Sequence, residues 1–107
     1  MTNIMVAECT AEWRAWLAHH GDTDSEVWLV IAHKNSAVAG VQYGEAIEQA
    51  LCFGWIDSHA RKRDADGFLL RFTPRRRGSK WSRINLQRAA RLTELGLMTE
   101  RGHAAMG

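Results

Sequence analysis

Apolar positions switch between two spacings along the chain, and the switches mark the elements. Thr10 precedes Trp13, Trp16 and Leu17, which lie on one side of a helix that Gly21 closes, with Thr10 as its N-cap and Gly21 just past its end. Residues 27–31, Val-Trp-Leu-Val-Ile, are apolar throughout, as expected of a central strand covered on both faces. After a turn at Gly40, Ala46, Ile47, Ala50 and Leu51 form the stripe of a second helix over residues 45–53, ended by Gly54. From Trp55 the spacing falls to two: Trp55, Asp57, His59, Arg61 and Arg63 point one way, and Ile56, Ser58, Ala60 and Lys62 the other. Asp64-Ala65-Asp66-Gly67 supplies turn chemistry, and Phe68, Leu70 and Phe72 alternate again up to Thr73-Pro74, which predicts an antiparallel hairpin. Trp81, Ile84, Ala89, Leu92 and Leu95 share one face of a third helix that Gly96 closes, and Thr99 caps a short last helix. This order predicts an α+β fold, a small and mainly antiparallel sheet with helices packed around a tryptophan-rich core.

Composition narrows the class. With 107 residues, 46% of them hydrophobic and 24% charged, the chain suits one globular domain spanning residues 1–107 and leaves disorder and low complexity unsupported. No apolar run approaches the ~20 residues of a spanning helix, and the first residues lack a basic segment followed by an apolar one. Cys9 and Cys52 have no CxxC spacing and read as reduced thiols, so the expected setting is cytoplasmic, without membrane insertion.

Charge changes the picture more. The net charge of +2 conceals a first stretch, residues 1–60, in which Arg14 and Lys34 face eight carboxylates. Residues 61–91 carry eleven Lys and Arg against only Asp64 and Asp66. Such separation implies either that the two stretches dock on one another or that a basic face is offered to an anion.

The run Ala50-Leu51-Cys52-Phe53-Gly54-Trp55-Ile56-Asp57, then Phe72-Thr73-Pro74-Arg75, Ser79-Lys80-Trp81-Ser82 and Asn85, resembles the YdeI/OmpD-associated family of bacteriocin-protection proteins. The resemblance extends to the tryptophan helix, to residues 27–31 with Lys34, and to Gly96-Leu97-Met98-Thr99. It implies a part in stress or in tolerance of cationic antimicrobial peptides, with no catalytic residues to carry over. Members of that family continue with further helical sequence, whereas this chain ends at Gly107, so apolar surface around Leu95, Leu97, Met98 and Met106 is expected to invite a homodimer. The basic run from His59 to Arg63 also departs from the family's pattern.

Residues 75–91 carry the sharpest chemistry, because a basic loop leading into a helix start joins guanidinium and ammonium groups to free backbone N–H groups. Arg75, Lys80, Ser82 and Asn85 are the expected contacts to an anionic or phosphate-bearing small molecule, with Trp55 and Trp81 as walls and Asp57 lining the same site. Arg76 and Arg77 add looser attraction. The site is expected between the loop over residues 73–82 and the strand over residues 55–63. A nucleic-acid-binding module is the alternative, and an enzyme acting on a nucleotide-like substrate comes third. Asp57 also suits a structural pairing with Arg88, which the helical wheel sets in the middle of an apolar face. Cys52, Asp57 and His59 hold the ingredients of a nucleophilic site at an unsuitable spacing, and Cys9, His19, His20, His33 and His103 lack the paired spacing of a zinc site. No metal and no cofactor is expected.

Overall fold

The structure, a computed structural model, describes residues 3–76 and 80–106. Its elements follow the order β1 (Ile4–Met5), α1 (Thr10–His20), β2 (Val27–Ala32), α2 (Tyr43–Cys52), β3 (Trp55–Lys62), β4 (Gly67–Pro74), α3 (Arg83–Glu94) and α4 (Glu100–Ala105). The strands form one sheet in the order β1-β2-β4-β3. β4 runs antiparallel to both neighbours, and β1 is parallel to β2. The fold is therefore α+β with a mainly antiparallel sheet, and β2 is interior, as its unbroken apolar run requires. β1 has no counterpart in the hydropathy pattern, since two residues are too few to display a period.

Register assigns the faces. Val27, Leu29 and Ile31 lie opposite Phe72, Leu70 and Phe68, and this face meets the helices: the Trp13 ring centroid is 5.0 Å from that of Phe72. Trp13 and Trp55 are fully buried, and each indole N–H donates to a carbonyl, of Ala46 at 3.1 Å and of Gly21 at 3.2 Å. Burial of an indole without such a partner would be costly. Trp16 packs edge-on to Trp55 and stacks on Trp13, so the aromatic cluster joins α1 to the sheet. On the opposite face the Arg61 guanidinium lies 5.5 Å from the Trp28 ring centroid, and Trp28 is 7% exposed.

Two local readings are corrected. Strict alternation along β3 fails after Asp57, because the register shifts between Asp57, opposite Phe72, and Ala60, opposite Leu70. Three steps on β3 match two on β4, so the extra residue of this bulge reverses the parity. Asp57, Ala60 and Lys62 share a face, and Arg61 turns to the side of Trp28. Thr10 is also not the N-cap of α1. Cys9 holds that place without a side-chain bond, while the Thr10 hydroxyl donates to the Glu45 carboxylate and so ties α1 to α2.

The C-terminal part is fastened by small residues and carbonyls. Gly54 adopts φ +76°, and a Cβ there would meet the Arg101 carbonyl at 2.9 Å. Thr99 caps α4 through the Gly102 N–H at 3.3 Å and donates its own N–H to the Cys52 carbonyl at 3.0 Å. A Cβ on Gly102 would lie 2.4 Å from that same carbonyl oxygen. Arg101 reaches Asp22 at 2.9 Å and the last carbonyls of α1, where a cation complements the helix dipole. Ile84 and Leu95, expected on the buried face of α3, are 60% and 57% exposed. α3 packs against α2 and buries Ala89 and Leu92, while its two ends stand clear. Leu97 and Met98 turn inward onto the core, so of the four residues expected at a dimer surface only Leu95 and Met106 are exposed.

Candidate anion-binding site

β4 ends at Pro74, paired with Trp55, and the next N–H, of Arg75, donates to the Gly54 carbonyl at 2.8 Å. This bond carries the β3–β4 pairing one residue past Pro74 and so fixes the Arg75 backbone beside Gly54. The Arg75 guanidinium then lies over the Trp81 ring, 4.2 Å from its centroid, and Nη2 donates to the Lys80 carbonyl at 2.8 Å. The Trp81 indole N–H donates to the Ala105 carbonyl at 3.1 Å, which fixes the platform from below. Arg75 Nε is buried and has no hydrogen-bond partner among the described residues. Burial pushes the Arg75 pKa down from its ordinary value, the mark of a cation held partly out of water without a carboxylate to offset it.

Ser82 is the N-cap of α3, its hydroxyl oxygen accepting the Asn85 N–H at 3.1 Å. Of its two expected roles, capping or donating to a ligand, capping is the one observed. Asn85 Oδ1 accepts from Arg88 Nη1 at 2.9 Å, one helical turn on. Lys80, Arg76 and Arg83 are exposed, and their side chains make no hydrogen bond or ion pair among the described residues. Arg77 and Ser79 lie outside the described residues.

The structure thus brings Arg75, Lys80, Trp81, Ser82 and Asn85 together. Trp55 adjoins them through its backbone pairing only, because its indole is directed into the core and is 1% exposed. Asp57 is half-buried on the face it shares with Trp55 and makes no ion pair among the described residues. The expected pairing of Asp57 with Arg88 does not form: Arg88 bonds within its own helix, and α3 packs on α2 rather than on β3. The expected grouping of the 73–82 loop with the whole of residues 55–63 also divides. Lys62 stands at the far end of β3 and Arg63 just past it, about 20 Å or more from Trp55, since the paired stretch of β4 from Pro74 to Phe68 spans six steps at ~3.3 Å each.

Part of the basic stretch docks on the acidic one. Arg71 Nε meets Glu26 at 2.5 Å, and Arg91 pairs with Glu48. Arg63 instead pairs with its neighbour Asp64 at 2.8 Å. Cys52 is wholly buried, and burial pushes its thiol pKa up, while His59 is exposed on β3. A buried neutral thiol is a poor nucleophile. Among the described residues no group of three or more His, Cys, Asp and Glu could hold a metal ion, and no helix is long and apolar enough to cross a membrane.

Two hollows lie at the other end of the sheet, where no site was expected. One, of about 290 Å³, is lined by Ala32, His33, Lys34, Gln42, Tyr43 and Phe68 among others. The second, of about 390 Å³, is lined by His33, Lys62, Arg63, Asp64, Gly67 and Phe68. Their sequence signal was faint: His33 and Lys34 directly after the β2 run, and Phe68 directly after the turn. Nothing in the hydropathy pattern joins residues 33 and 68.

Residues 5–105 match the domain of unknown function DUF8412. The chain belongs to this family. No curated protein and no solved structure matches it. The DUF8412 stretch runs from the second residue of β1 to the last of α4, so it takes in the Arg75–Trp81 pair and both hollows. The family carries no assigned activity, and function has to be argued from geometry.

Proposed function

We propose that this DUF8412 protein is a non-enzymatic binding protein for a phosphate-bearing anion, held at the start of α3 by Arg75 and Lys80. The single observation behind this reading is the Arg75 guanidinium, stacked on Trp81, partly withdrawn from water and without a carboxylate partner among the described residues. An anion placed there supplies the missing counter-charge, and the exposed Lys80, Arg76 and Arg83 add attraction around it. Ser82 and Asn85 hold the first turn of α3 through their oxygens, and the Ser82 O–H and the Asn85 Nδ2 are the donors they offer an anion. Through the motif resemblance to bacteriocin-protection proteins, we assign this binding to stress or cationic-peptide tolerance. A nucleic-acid-binding module is the second reading, favoured by the spread of exposed cations from Lys62 to Arg83.

Titration with inorganic pyrophosphate, followed by calorimetry, tests the first reading. The Arg75→Gln/Lys80→Gln protein should bind it at least about tenfold more weakly, or ~1.4 kcal/mol. Equal affinity in the two proteins overturns the reading. A single-stranded oligonucleotide that binds more tightly than pyrophosphate, with affinity falling steeply as salt rises, selects the polyanion surface instead. Turnover of an added nucleotide would select the enzyme.

A further inference from the structure

The two hollows meet at a His33–Phe68 pair whose ring centroids are 5.6 Å apart and tilted by 36°. The pair is built in by the fold. The His33 N–H donates to the Asp66 carbonyl at 2.9 Å, which ties the end of β2 to the β3–β4 turn, and Phe68 follows that turn as the second residue of β4. Phe68 and His33 remain partly open to solvent.

Cations edge the larger hollow. Lys62 is exposed and makes no ion pair among the described residues, and Arg63 is held only by Asp64. The second oxygen of Asp64 already accepts the N–H groups of Asp66 and Gly67, at 2.9 and 3.0 Å, so this carboxylate is committed to the turn. An aromatic floor with an ammonium and a guanidinium at its edge suits a flat ring carrying an anionic group: the ring displaces water from His33 and Phe68, and the charge meets Lys62 and Arg63. At about 390 Å³ the space is near the lower end of the ~300–1,000 Å³ typical of small-molecule sites, which restricts the occupant to about one ring system and its anion.

We propose that the His33–Phe68 hollow is a second binding site, separate from the Arg75–Trp81 site, and that it takes a small aromatic phosphate. Phenyl phosphate is the probe, inorganic phosphate its control without a ring and phenol its control without the charge. Amide chemical shifts should move at His33, Arg63, Gly67 and Phe68 when phenyl phosphate is added to the full chain, and either control should bind at least tenfold more weakly. Lys62→Gln, on an exposed position, should weaken phenyl phosphate about three- to tenfold, and Phe68→Leu should remove the preference for phenyl phosphate over inorganic phosphate. Read at the His33, Gly67 and Phe68 amides, the Arg75→Gln/Lys80→Gln protein should bind phenyl phosphate as the parent does, so this site and the pyrophosphate site fail independently. Shift changes confined to residues 80–85, equal affinity for phosphate and phenyl phosphate, or an unchanged Lys62→Gln protein would overturn the proposal.

Discussion

The β3–β4 hairpin has two ends, and each sets a cation near an aromatic ring, to opposite effect. At the Pro74 end, Arg75, Trp81, Ser82 and Asn85 are bonded to one another and to α4, with the Trp81 indole on the Ala105 carbonyl and the Ser82 hydroxyl on the Asn85 N–H. At the turn end, His33, Phe68 and Lys62 border hollows and leave much of their surface open. The first end is charged and closed by packing, so that an anion meets it from the surface, at Arg75 and Lys80; the second is charged and concave. A basic stretch therefore states how much positive charge is present, while packing decides where a ligand can enter.

Paired glycine substitutions break or sharpen this contrast. The largest effect is expected at the closed end. Gly102→Ala places a methyl 2.4 Å from the Cys52 carbonyl oxygen, so α4 must shift and loosen Trp81 with it. A loss on the order of 2–3 kcal/mol should appear in denaturant unfolding. A parent-like midpoint would mean that α4 does not fasten this end.

Trp81→Phe keeps a smaller ring beneath Arg75 and removes the donor to Ala105. The expected loss is about 1 kcal/mol, with pyrophosphate affinity changed less than threefold. A large fall in affinity at unchanged stability would make the indole a direct ligand contact rather than a platform.

The smallest effect, of opposite sign, belongs to the open end. A Cβ on Gly44, in the first turn of α2 and lining the smaller hollow, meets nothing within 4 Å. Gly44→Ala should raise stability by about 0.5 kcal/mol, mainly by restricting the unfolded chain. Thermal melting of the two alanine variants side by side provides the check, and equal destabilisation would contradict the difference between the ends.

Much of the fold was legible because periodicity reports burial. The 13, 16, 17 stripe, the unbroken apolar run of β2 and the return to alternation at Trp55 each located an element, and the glycines at 54 and 96 marked helix ends. Within the candidate site, the capping role of Ser82 was readable from its place before α3, since a cap is a local contact. The pairing of Asp57 with Arg88 failed for the opposite reason. A helical wheel gives the direction of a side chain from its own helix axis but not which element stands in front of it, and α2, not β3, faces α3.

The amino-acid order by itself determined the α+β class, the central place of β2, the hairpin and the concentration of cations after residue 60, all properties of residues near one another in sequence. Tertiary structure alone decided that β1 joins the sheet, that a bulge turns Arg61 toward Trp28, and that Arg71 and Arg91 are neutralised by Glu26 and Glu48. It also decided that His33 and Phe68, thirty-five positions apart, share the rim of a hollow. The physical reason is range. Backbone preference and hydrophobic period act over a few residues, whereas ion pairs, stacking and concavity depend on which surfaces the packed core brings face to face.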